Sequence, residues 1–165
     1  MPATRAAVRV RPATPDDLPI VVELRLALVA EHGENIIYGR PRHDIRVRAR
    51  QLYLAQLRSA REITFLAERE GGAVGILRCV DSAGHPLLHP ERYGYISSVY
   101  VRPAARRHGV LRALMQAAED WCRNRGLREL RLHNAADNPL SNAAWETLGF
   151  RIAEHLRVRP LAPEE

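Results

Sequence analysis

The N-terminal part of the chain changes from an alternating to a helical pattern of apolar residues. Val8-Arg9-Val10-Arg11 alternates apolar and polar residues, which predicts a short strand ending at Pro12. Thr14-Pro15-Asp16-Asp17 has the composition of a helix start, because threonine can cap, proline suits the first helical position and acids favour the positive end of the dipole. Apolar residues then recur at helical spacing as far as Gly33, and they are Leu18, Val21, Val22, Leu28 and Val29.

A second helix is predicted from about Asp44 to Ser59. Its apolar side carries Ile45, Ala49, Leu52 and Leu57, and its other face carries Arg46, Arg48 and Arg50. Strand patterns follow over residues 62–68 and 73–80, joined by a hairpin turn at Gly71-Gly72. Residues 81–92 are rich in Gly, Pro and His and predict a loop.

The second half of the chain contains the strongest helical pattern. Residues 93–101 are β-branched, aromatic and serine-rich, which predicts a fourth strand. A long helix is predicted over about residues 107–125, with an apolar stripe of Val110, Leu114, Ala117, Ala118, Trp121 and Cys122. Residues 127–133 predict a fifth strand, residues 138–148 a short helix, and residues 150–158 a last strand.

These elements predict one domain over residues 1–165, since no linker, repeat or low-complexity tract interrupts them. Strands and helices are intermixed without a strict βαβα rhythm. This favours an α/β (α+β) fold with a mixed, mostly antiparallel sheet and helices on both faces. The predicted order is β1-α1-α2-β2-β3-β4-α3-β5-α4-β6, in a sheet of six or seven strands.

Composition narrows the class of protein. Hydrophobic residues make up 46% and charged residues 27% of the chain, which excludes a disordered acidic tail and a collagen-like fibre. No stretch approaches the roughly 18 apolar residues that cross a bilayer, and Arg5 and Arg9 argue against a secretory signal. Cys79 and Cys122 lie far apart in the sequence and outside any CxxC pair, so we expect no disulfide framework, no metal site and a cytoplasmic setting.

The net charge of +6 comes from 25 basic residues that are all arginine. Guanidinium groups bind phosphates in a bidentate way, so the charge suits a phosphate-bearing ligand or nucleic acid. A nucleic-acid-binding module would use Arg40, Arg42, Arg46, Arg48 and Arg50. The sequence lacks the aromatic platform or recognised motif of such modules, and solvated helix charge explains these arginines equally well.

The segment from Tyr100 to Leu114 carries the clearest chemistry. A strand runs into Pro103, and a basic turn containing Gly109 then opens the long helix. The first turn of a helix leaves backbone N–H groups without partners and carries about half a positive charge, and glycine places no side chain between them and a ligand. Three arginines add charge at the same end, against the dipole, and they are Arg106, Arg107 and Arg112. The segment therefore predicts a cradle for a pyrophosphate.

This segment contains neither a Walker loop nor a dinucleotide fingerprint, because GxxxxGK[ST] and GxGxxG are both absent. Residues 106–111, Arg-Arg-His-Gly-Val-Leu, resemble the [Q/R]-x-x-G-x-[G/A] signature of the GNAT superfamily of acyl-CoA-dependent N-acetyltransferases. Residues 10–18 are similar to the first strand and helix of that family. Residues 138–150 are similar to its N-x-x-A-x-x-x-Y-E-x-x-G-F segment. The three motifs lie in the family's order, and the predicted element order matches along nearly the whole chain.

The resemblance implies acetyl-CoA as co-substrate and no metal. In the family the pantetheine arm pairs with the backbone of the fourth strand, and the pyrophosphate lies on the amides that open the third helix. The implied cofactor-binding residues are Val99, Tyr100, Val101, Arg106, Arg107, His108, Gly109, Val110, Leu111, Arg112, Asn138 and Ser141.

The resemblance also implies direct attack of an amine on the thioester, with the backbone N–H of Val99 stabilising the oxyanion. Two positions depart from the family. Leu111 stands where Gly or Ala is usual, and we expect it to be buried against the sheet. Trp145 stands where the family has a tyrosine that protonates the departing thiolate. Since an indole supplies no proton near neutrality, we expect slow turnover or another proton route.

The general base is not obvious from the sequence. Inward positions of the fourth strand carry Tyr95 and Ser97, and either can hold a water that relays a proton. Glu31, His32 and Glu34, between the first two helices, are alternatives that surface solvation explains better than catalysis. His133, at the end of the fifth strand, is an alternative that packing or exposure explains at least as well. His85 and His89 have i,i+4 spacing but fall in a proline-containing loop, which argues against a metal pair.

Together these observations predict an acetyl-CoA-dependent N-acetyltransferase acting in a ternary complex on a primary amine of a small molecule or peptide. An acyl-CoA-binding sensor of the same fold, with weak or no catalysis, is the alternative that Trp145 favours. A nucleic-acid-binding module is the less favoured alternative. No membrane partner is expected, and a homodimer is among the implied partners because family members often pair through terminal strands.

Overall fold

The computed structural model describes residues 6–162. The elements in chain order are β1 (Arg9–Pro12), a 3-10 turn (Pro15–Asp17), α1 (Leu18–Glu31), α2 (Ile45–Leu57), β2 (Glu62–Arg69), β3 (Gly72–Ala83), β4 (Arg92–Val101), a second 3-10 turn (Pro103–Ala105), α3 (Val110–Asn124), β5 (Leu130–Leu132) and α4 (Pro139–Thr147). Within the described residues, every helix is too short or too polar to cross a membrane.

The five strands form one sheet in the order β1-β2-β3-β4-β5. The first three pairings are antiparallel, and β4 pairs with β5 in parallel. This confirms the prediction of a mixed, mostly antiparallel sheet. Adjacent strands in the sequence are adjacent in space, and the parallel pair is joined through α3, as a parallel crossover requires.

Alternate residues of the strands divide the core between the two faces of the sheet. On one face, Phe65 and Leu77 pack with the buried stripe of α3, which includes Val110 and Leu114. On the other face, Leu66, Ile76 and Tyr100 pack with α1 and α2. Helices on both faces were predicted and are confirmed, and α3 is thereby held with its N-terminus next to the end of β4.

The corner between β1 and α1 is fixed by charged side chains. Arg11 donates two hydrogen bonds to the carboxylate of Asp17, each 2.8 Å long, and a third of 2.9 Å to Glu68. Asp17 also accepts a 2.8 Å hydrogen bond from the backbone N–H of Thr14, which completes a capping box. Arg11 and Thr14 together lower the pKa of Asp17 from 3.8 to about 2, chiefly through the hydrogen bonds from Arg11.

The prediction of a sixth strand over residues 150–158 is wrong, and the sheet has five strands rather than six or seven. The element order therefore ends at α4. Residues 151–160 lie exposed and without regular structure, with Ile152 71% and Leu156 73% exposed. A strand needs a hydrogen-bonding neighbour, and β5 is only three residues long.

Smaller differences concern element ends and one helix face. β3 continues to Ala83, so the predicted loop is shorter, and α3 begins at Val110 rather than at Arg107. On α2, Leu52 is 53% exposed whereas Tyr53 is buried, so the apolar side is turned by one residue from the predicted one.

The two cysteines lie far apart in the sequence but meet in the core. Cys79 of β3 and Cys122 of α3 are both free and buried, with their sulfur atoms 3.4 Å apart. Gly94 of β4 lies directly beside them, because a Cβ there would come within 2.5 Å of the Cys122 sulfur. Close packing of α3 on the sheet therefore depends on this glycine.

Candidate active site

The two parallel strands separate at one end of the sheet. Their pairing runs from Gly94–Leu130 to Ile96–Leu132 and then stops. On the other edge of β4, Ile76 pairs with Tyr100 and Arg78 with Ser97, so Ser98 and Val99 stand opposite one residue of β3. Ser98 is left-handed, with a φ of 54°. A bulge of this kind redirects the backbone, and it lies where β4 loses its neighbour.

A cavity of about 310 Å³ opens where β4 and β5 diverge. Its walls come from α1, α2, both diverging strands and α4. The polar and aromatic side chains that line it include Arg25, Tyr53, Tyr95, Ser97, His133 and Trp145. A cavity of this volume is of the size that small-molecule sites require.

The turn before α3 forms a concave run of backbone N–H groups. Arg107 and Gly109 are both left-handed, with φ values of 63° and 81°, and His108 lies between them. Alternation of backbone hand turns successive N–H groups to one side, which makes an anion-binding nest. A Cβ on Gly109 would meet no protein atom within 4 Å, so the space above these N–H groups is open. This is the turn that the sequence predicts to hold a pyrophosphate.

The side chain of Arg106 holds this turn in place. Its Nε donates a 2.9 Å hydrogen bond to the Val101 carbonyl at the end of β4, and its Nη2 forms an ion pair with Glu31 at the end of α1. The His108 Nδ1–H donates a 2.7 Å hydrogen bond back to the Arg106 carbonyl. Arg106 therefore braces the turn. Among the predicted phosphate ligands, Arg112 is exposed and Leu111 is half-buried against the core, as expected of the leucine.

Tyr95 and His133 meet across the gap between the strands. The Tyr95 hydroxyl lies 2.9 Å from His133 Nδ1, and both residues line the cavity. His133 Nε2 lies 3.6 Å from a carboxylate oxygen of Glu154. Burial raises the pKa of Tyr95 above its ordinary value, with smaller contributions from Tyr38 and Tyr93. The phenol therefore stays protonated at neutral pH and can pass a proton between two neighbours.

Ser97, the second predicted inward residue of β4, also lines the cavity. Its hydroxyl accepts a 3.1 Å hydrogen bond from Arg78 Nη1, and Arg78 in turn forms an ion pair with Glu62. Val99 lines the same cavity immediately after the bulge. The three predicted β4 residues therefore meet at one place.

Arg25 was not predicted as a site residue. It is 8% exposed, lines the cavity, and stacks over the Tyr53 ring with its guanidinium carbon 3.6 Å from the ring centre. A signal was available in the sequence, because Arg25 follows Val21 and Val22 by four and three residues and so shares their buried face.

The α4 side of the cavity carries Ser141 and Trp145. The Trp145 ring packs edge-on against Phe150, with ring centres 5.6 Å apart. Asn138 does not line this cavity. Its Oδ1 accepts a 3.0 Å hydrogen bond from the Ser141 backbone N–H, and Asn138 thereby caps α4.

A second cavity of about 220 Å³ adjoins the first through His32, which lines both. Glu31, Glu34 and Asp137 line it and make it acidic. Of the alternative bases, Glu31 is paired with Arg106, and His32 packs against Tyr38 with ring centres 5.6 Å apart.

Other predicted clusters remain apart from these cavities. His85 and His89 are exposed in the loop before β4, and no group of three or more His, Cys, Asp or Glu side chains within residues 6–162 is placed to hold a metal ion. The arginines at 40, 42, 46, 48 and 50 are exposed, and two of them, Arg42 and Arg48, pair with Asp44. Within residues 6–162, the arginines that stack on aromatic rings are other ones, namely Arg25, Arg106, Arg125 and Arg131.

A sequence model of the acetyltransferase (GNAT) family matches residues 27–150. The chain belongs to this family. An aminoglycoside N(6')-acetyltransferase type 1 of Acinetobacter haemolyticus is 38% identical over 61 residues, which cover 37% of this chain and 42% of the relative. The protein of the same name from Salmonella typhimurium is 29% identical over 96 residues, 56% of this chain and 65% of the relative. The matched segments thus span less than two thirds of either relative.

Solved structures share the whole fold. That of a predicted acetyltransferase with acetyl-CoA from Clostridium acetobutylicum superposes with a TM-score of 0.78 at 18% identity, covering 94% of this chain and 97% of the other. At this identity the likeness shows that the two chains have the same fold.

Proposed function

We propose that this protein transfers an acetyl group from acetyl-CoA to a primary amine of a small molecule or peptide, by direct attack in a ternary complex. The observation that carries the proposal is the divergence of β4 from β5 beside the N–H nest that opens α3. One end of this groove suits a diphosphate, and the other opens into a cavity large enough for an acceptor. Membership of the acetyltransferase (GNAT) family supports the same activity.

The cofactor end of the groove is assigned to the turn before α3. The residues there fit a diphosphate because the N–H groups of Gly109, Val110, Leu111 and Arg112 belong to the first turn of a helix and have no intrahelical acceptor. Arg107 and His108 complete the turn, and Arg106 braces it. When bound, acetyl-CoA supplies an activated acetyl group as a thioester.

The edge of β4 past Ile96 is assigned to the pantetheine arm. Val99, Tyr100 and Val101 have no strand on that side among the described residues, so those of their backbone groups that point to this edge can pair with the amides of the arm. The Val101 carbonyl already accepts a hydrogen bond from Arg106 Nε. Val99 follows the left-handed Ser98, and its N–H is the proposed donor to the thioester oxygen as negative charge develops there. Ser141 faces the same groove from α4.

The proton of the acceptor is assigned to Tyr95 and His133. An alkylammonium has a pKa near 10.4, so it must lose a proton before it attacks, and a neutral imidazole nitrogen can accept one. The Tyr95 hydroxyl can take the amine proton while it gives its own to His133 Nδ1, 2.9 Å away. Glu154 stabilises the imidazolium that results. Ser97 holds water at the same wall of the cavity.

Trp145 is proposed to limit the rate. It lines the cavity from α4 at the position where the family pattern has a tyrosine, and its indole cannot protonate a thiolate. A thiol of pKa near 8.5 still leaves without help, so turnover is slowed rather than abolished. A sensor that binds acyl-CoA and does not turn it over is the second candidate function, and Trp145 is the observation that favours it.

The test mixes acetyl-CoA with a panel of amines, including an aminoglycoside, a polyamine and an N-terminal peptide amine, and follows both free thiol and acetylated product. The chain has no lysine, so acetylation of its own side-chain amines cannot imitate turnover. We expect saturable thiol release that depends on the amine. Acetyl-CoA binding without release from any amine supports the sensor, and absence of binding contradicts both functions.

A further inference from the structure

Arg25 is a buried cation without a carboxylate partner. Its Nη1 donates to the Gln56 side-chain oxygen, and its guanidinium stacks on Tyr53. Within residues 6–162 no Asp or Glu lies within ion-pair distance of it. The carboxylate of Glu62 acts weakly on its charge, and Glu62 is itself paired with Arg78. Burial lowers the pKa of Arg25 to about 10, so it is still charged at neutral pH.

Two other partly buried arginines have their charge compensated by carboxylates. Arg11 binds two carboxylates, and Arg78 binds Glu62. Removing a charge from water is strongly unfavourable unless an opposite charge accompanies it. Arg25 is the most buried of the three and lacks that compensation. An anion supplied by a ligand would provide it.

The cavity that Arg25 lines is the acceptor end of the groove. The side chains that line it within the described part of the chain include no Asp or Glu. Coenzyme A carries its charges as a diphosphate and a ribose phosphate, whereas its pantetheine arm and thioester are uncharged. An anion that reaches Arg25 therefore belongs to the acceptor and not to the acetyl donor.

We infer that the acceptor is a primary amine that also carries a carboxylate, which Arg25 binds on the floor of the cavity. The inference rests on the proposed acetyl transfer. Leu28, Val29 and Tyr38 line the same cavity and suit an apolar side chain, so the favoured class is an apolar amino acid or a compound of that shape. A polycationic amine would instead need acids in this cavity, and those lie in the adjoining one, around Glu34 and Asp137.

The test compares phenylalanine with phenethylamine, which lacks only the carboxylate, and adds spermidine as a polycation. Affinity for the protein in the presence of coenzyme A is measured by titration, and thiol release from acetyl-CoA is measured separately. We expect phenylalanine to bind at least about tenfold more tightly than phenethylamine, since a hydrogen bond to a charged group has that value. Arg25→Gln is expected to bring the ratio to within about threefold.

Two further variants make the comparison specific. Arg25→Lys keeps the charge but loses the planar fork, so we expect an intermediate ratio. Arg50→Gln removes a charge from the exposed face of α2, and the preference should remain as in the wild type. Should Arg25→Gln fail to fold, the ratio of phenylalanine affinity to phenethylamine affinity in the wild type and in Arg25→Lys tests the carboxylate site.

The outcomes separate this inference from the proposed function. A wild-type ratio near one, or tighter binding of spermidine, overturns the carboxylate site even if thiol is released. A preference for phenylalanine that Arg25→Gln abolishes supports the site, and it does so even if no amine releases thiol. Absence of thiol release from every amine would overturn the proposed acetyl transfer but not the carboxylate site.

Discussion

Gly109 offers the sharpest perturbation of the proposed cofactor seat. Its φ of 81° is left-handed, and a Cβ there would meet no protein atom within 4 Å. Gly109→Ala therefore creates no clash inside the protein, and its structural cost is the left-handed strain of about 1–2 kcal/mol. Gly126, just past the other end of α3, has a φ of 76° and equally open surroundings. Gly126→Ala is the matched control, because it has the same backbone strain away from the seat.

The two variants should differ in ligand affinity but not in stability. Each is expected to lower the melting temperature by a few degrees, at about 2–4 °C per kcal/mol for a chain of this size. In Gly109→Ala the methyl group stands over the N–H groups that face the diphosphate. Loss of one charge-assisted hydrogen bond, about 1.5–3 kcal/mol, raises the Kd for coenzyme A about 10- to 150-fold. Gly126→Ala should change that Kd by less than about twofold.

Calorimetric titration with coenzyme A and thermal unfolding of both variants provide the assay. A third measurement uses an acetyl thioester of pantetheine, which has no diphosphate. Gly109→Ala should use that thioester at the wild-type rate, since the methyl group obstructs only the diphosphate. Equal Kd values for the two alanine variants would refute the reasoning. A comparable loss with the pantetheine thioester would place the damage elsewhere in the groove.

Three further predictions concern catalysis and stability. Trp145→Tyr should raise kcat about tenfold or more by restoring a proton donor, whereas Trp121→Tyr, outside the cavity, should not, and an unchanged or lower kcat in Trp145→Tyr counts against the assignment. His133→Gln should lower kcat/KM about 10²-fold at pH 7, and it should lower it less near pH 10, where the amine loses its own proton. His43→Gln is the control. A loss of activity in His133→Gln that does not depend on pH would contradict a proton-transfer role. Asp17→Asn should lower the free energy of unfolding at pH 7 by about 1–2 kcal/mol after allowance for solvent screening. The lowered pKa of Asp17 stabilises the fold at pH values above about 4, where the carboxylate is charged in both the folded and the unfolded chain. The difference in unfolding free energy between wild type and Asp17→Asn should therefore shrink as the pH falls from about 4 to about 2. A difference that stays the same over this range would contradict the assignment.

Local patterns predicted most of the fold. The apolar strand segments of β2 and β3, the Gly-Gly turn between them and the apolar stripe of α3 all depend on local composition, period and turn chemistry, which the sequence carries directly. The glycine-containing turn before α3 was predicted as an anion cradle for the same reason. That turn contains two left-handed residues, Arg107 and Gly109.

Features that depend on pairing between distant segments were less accessible. The contact between Tyr95 and His133 needs the register of β4 on β5, and a one-residue slip would turn either side chain away. The segment after Phe150 has apolar residues but no partner strand, so its pattern led to a strand that does not form. Arg25 lies on an apolar helix face, where a lone charge is a sequence signal in its own right.

A crystal structure with coenzyme A tests the central assignment most directly. The account predicts diphosphate oxygens about 3 Å from the backbone nitrogens of residues 109–112, with the pantetheine arm along β4 from Val99 to Val101. A diphosphate bound elsewhere, or an arm that leaves the edge of β4 uncovered, would contradict it.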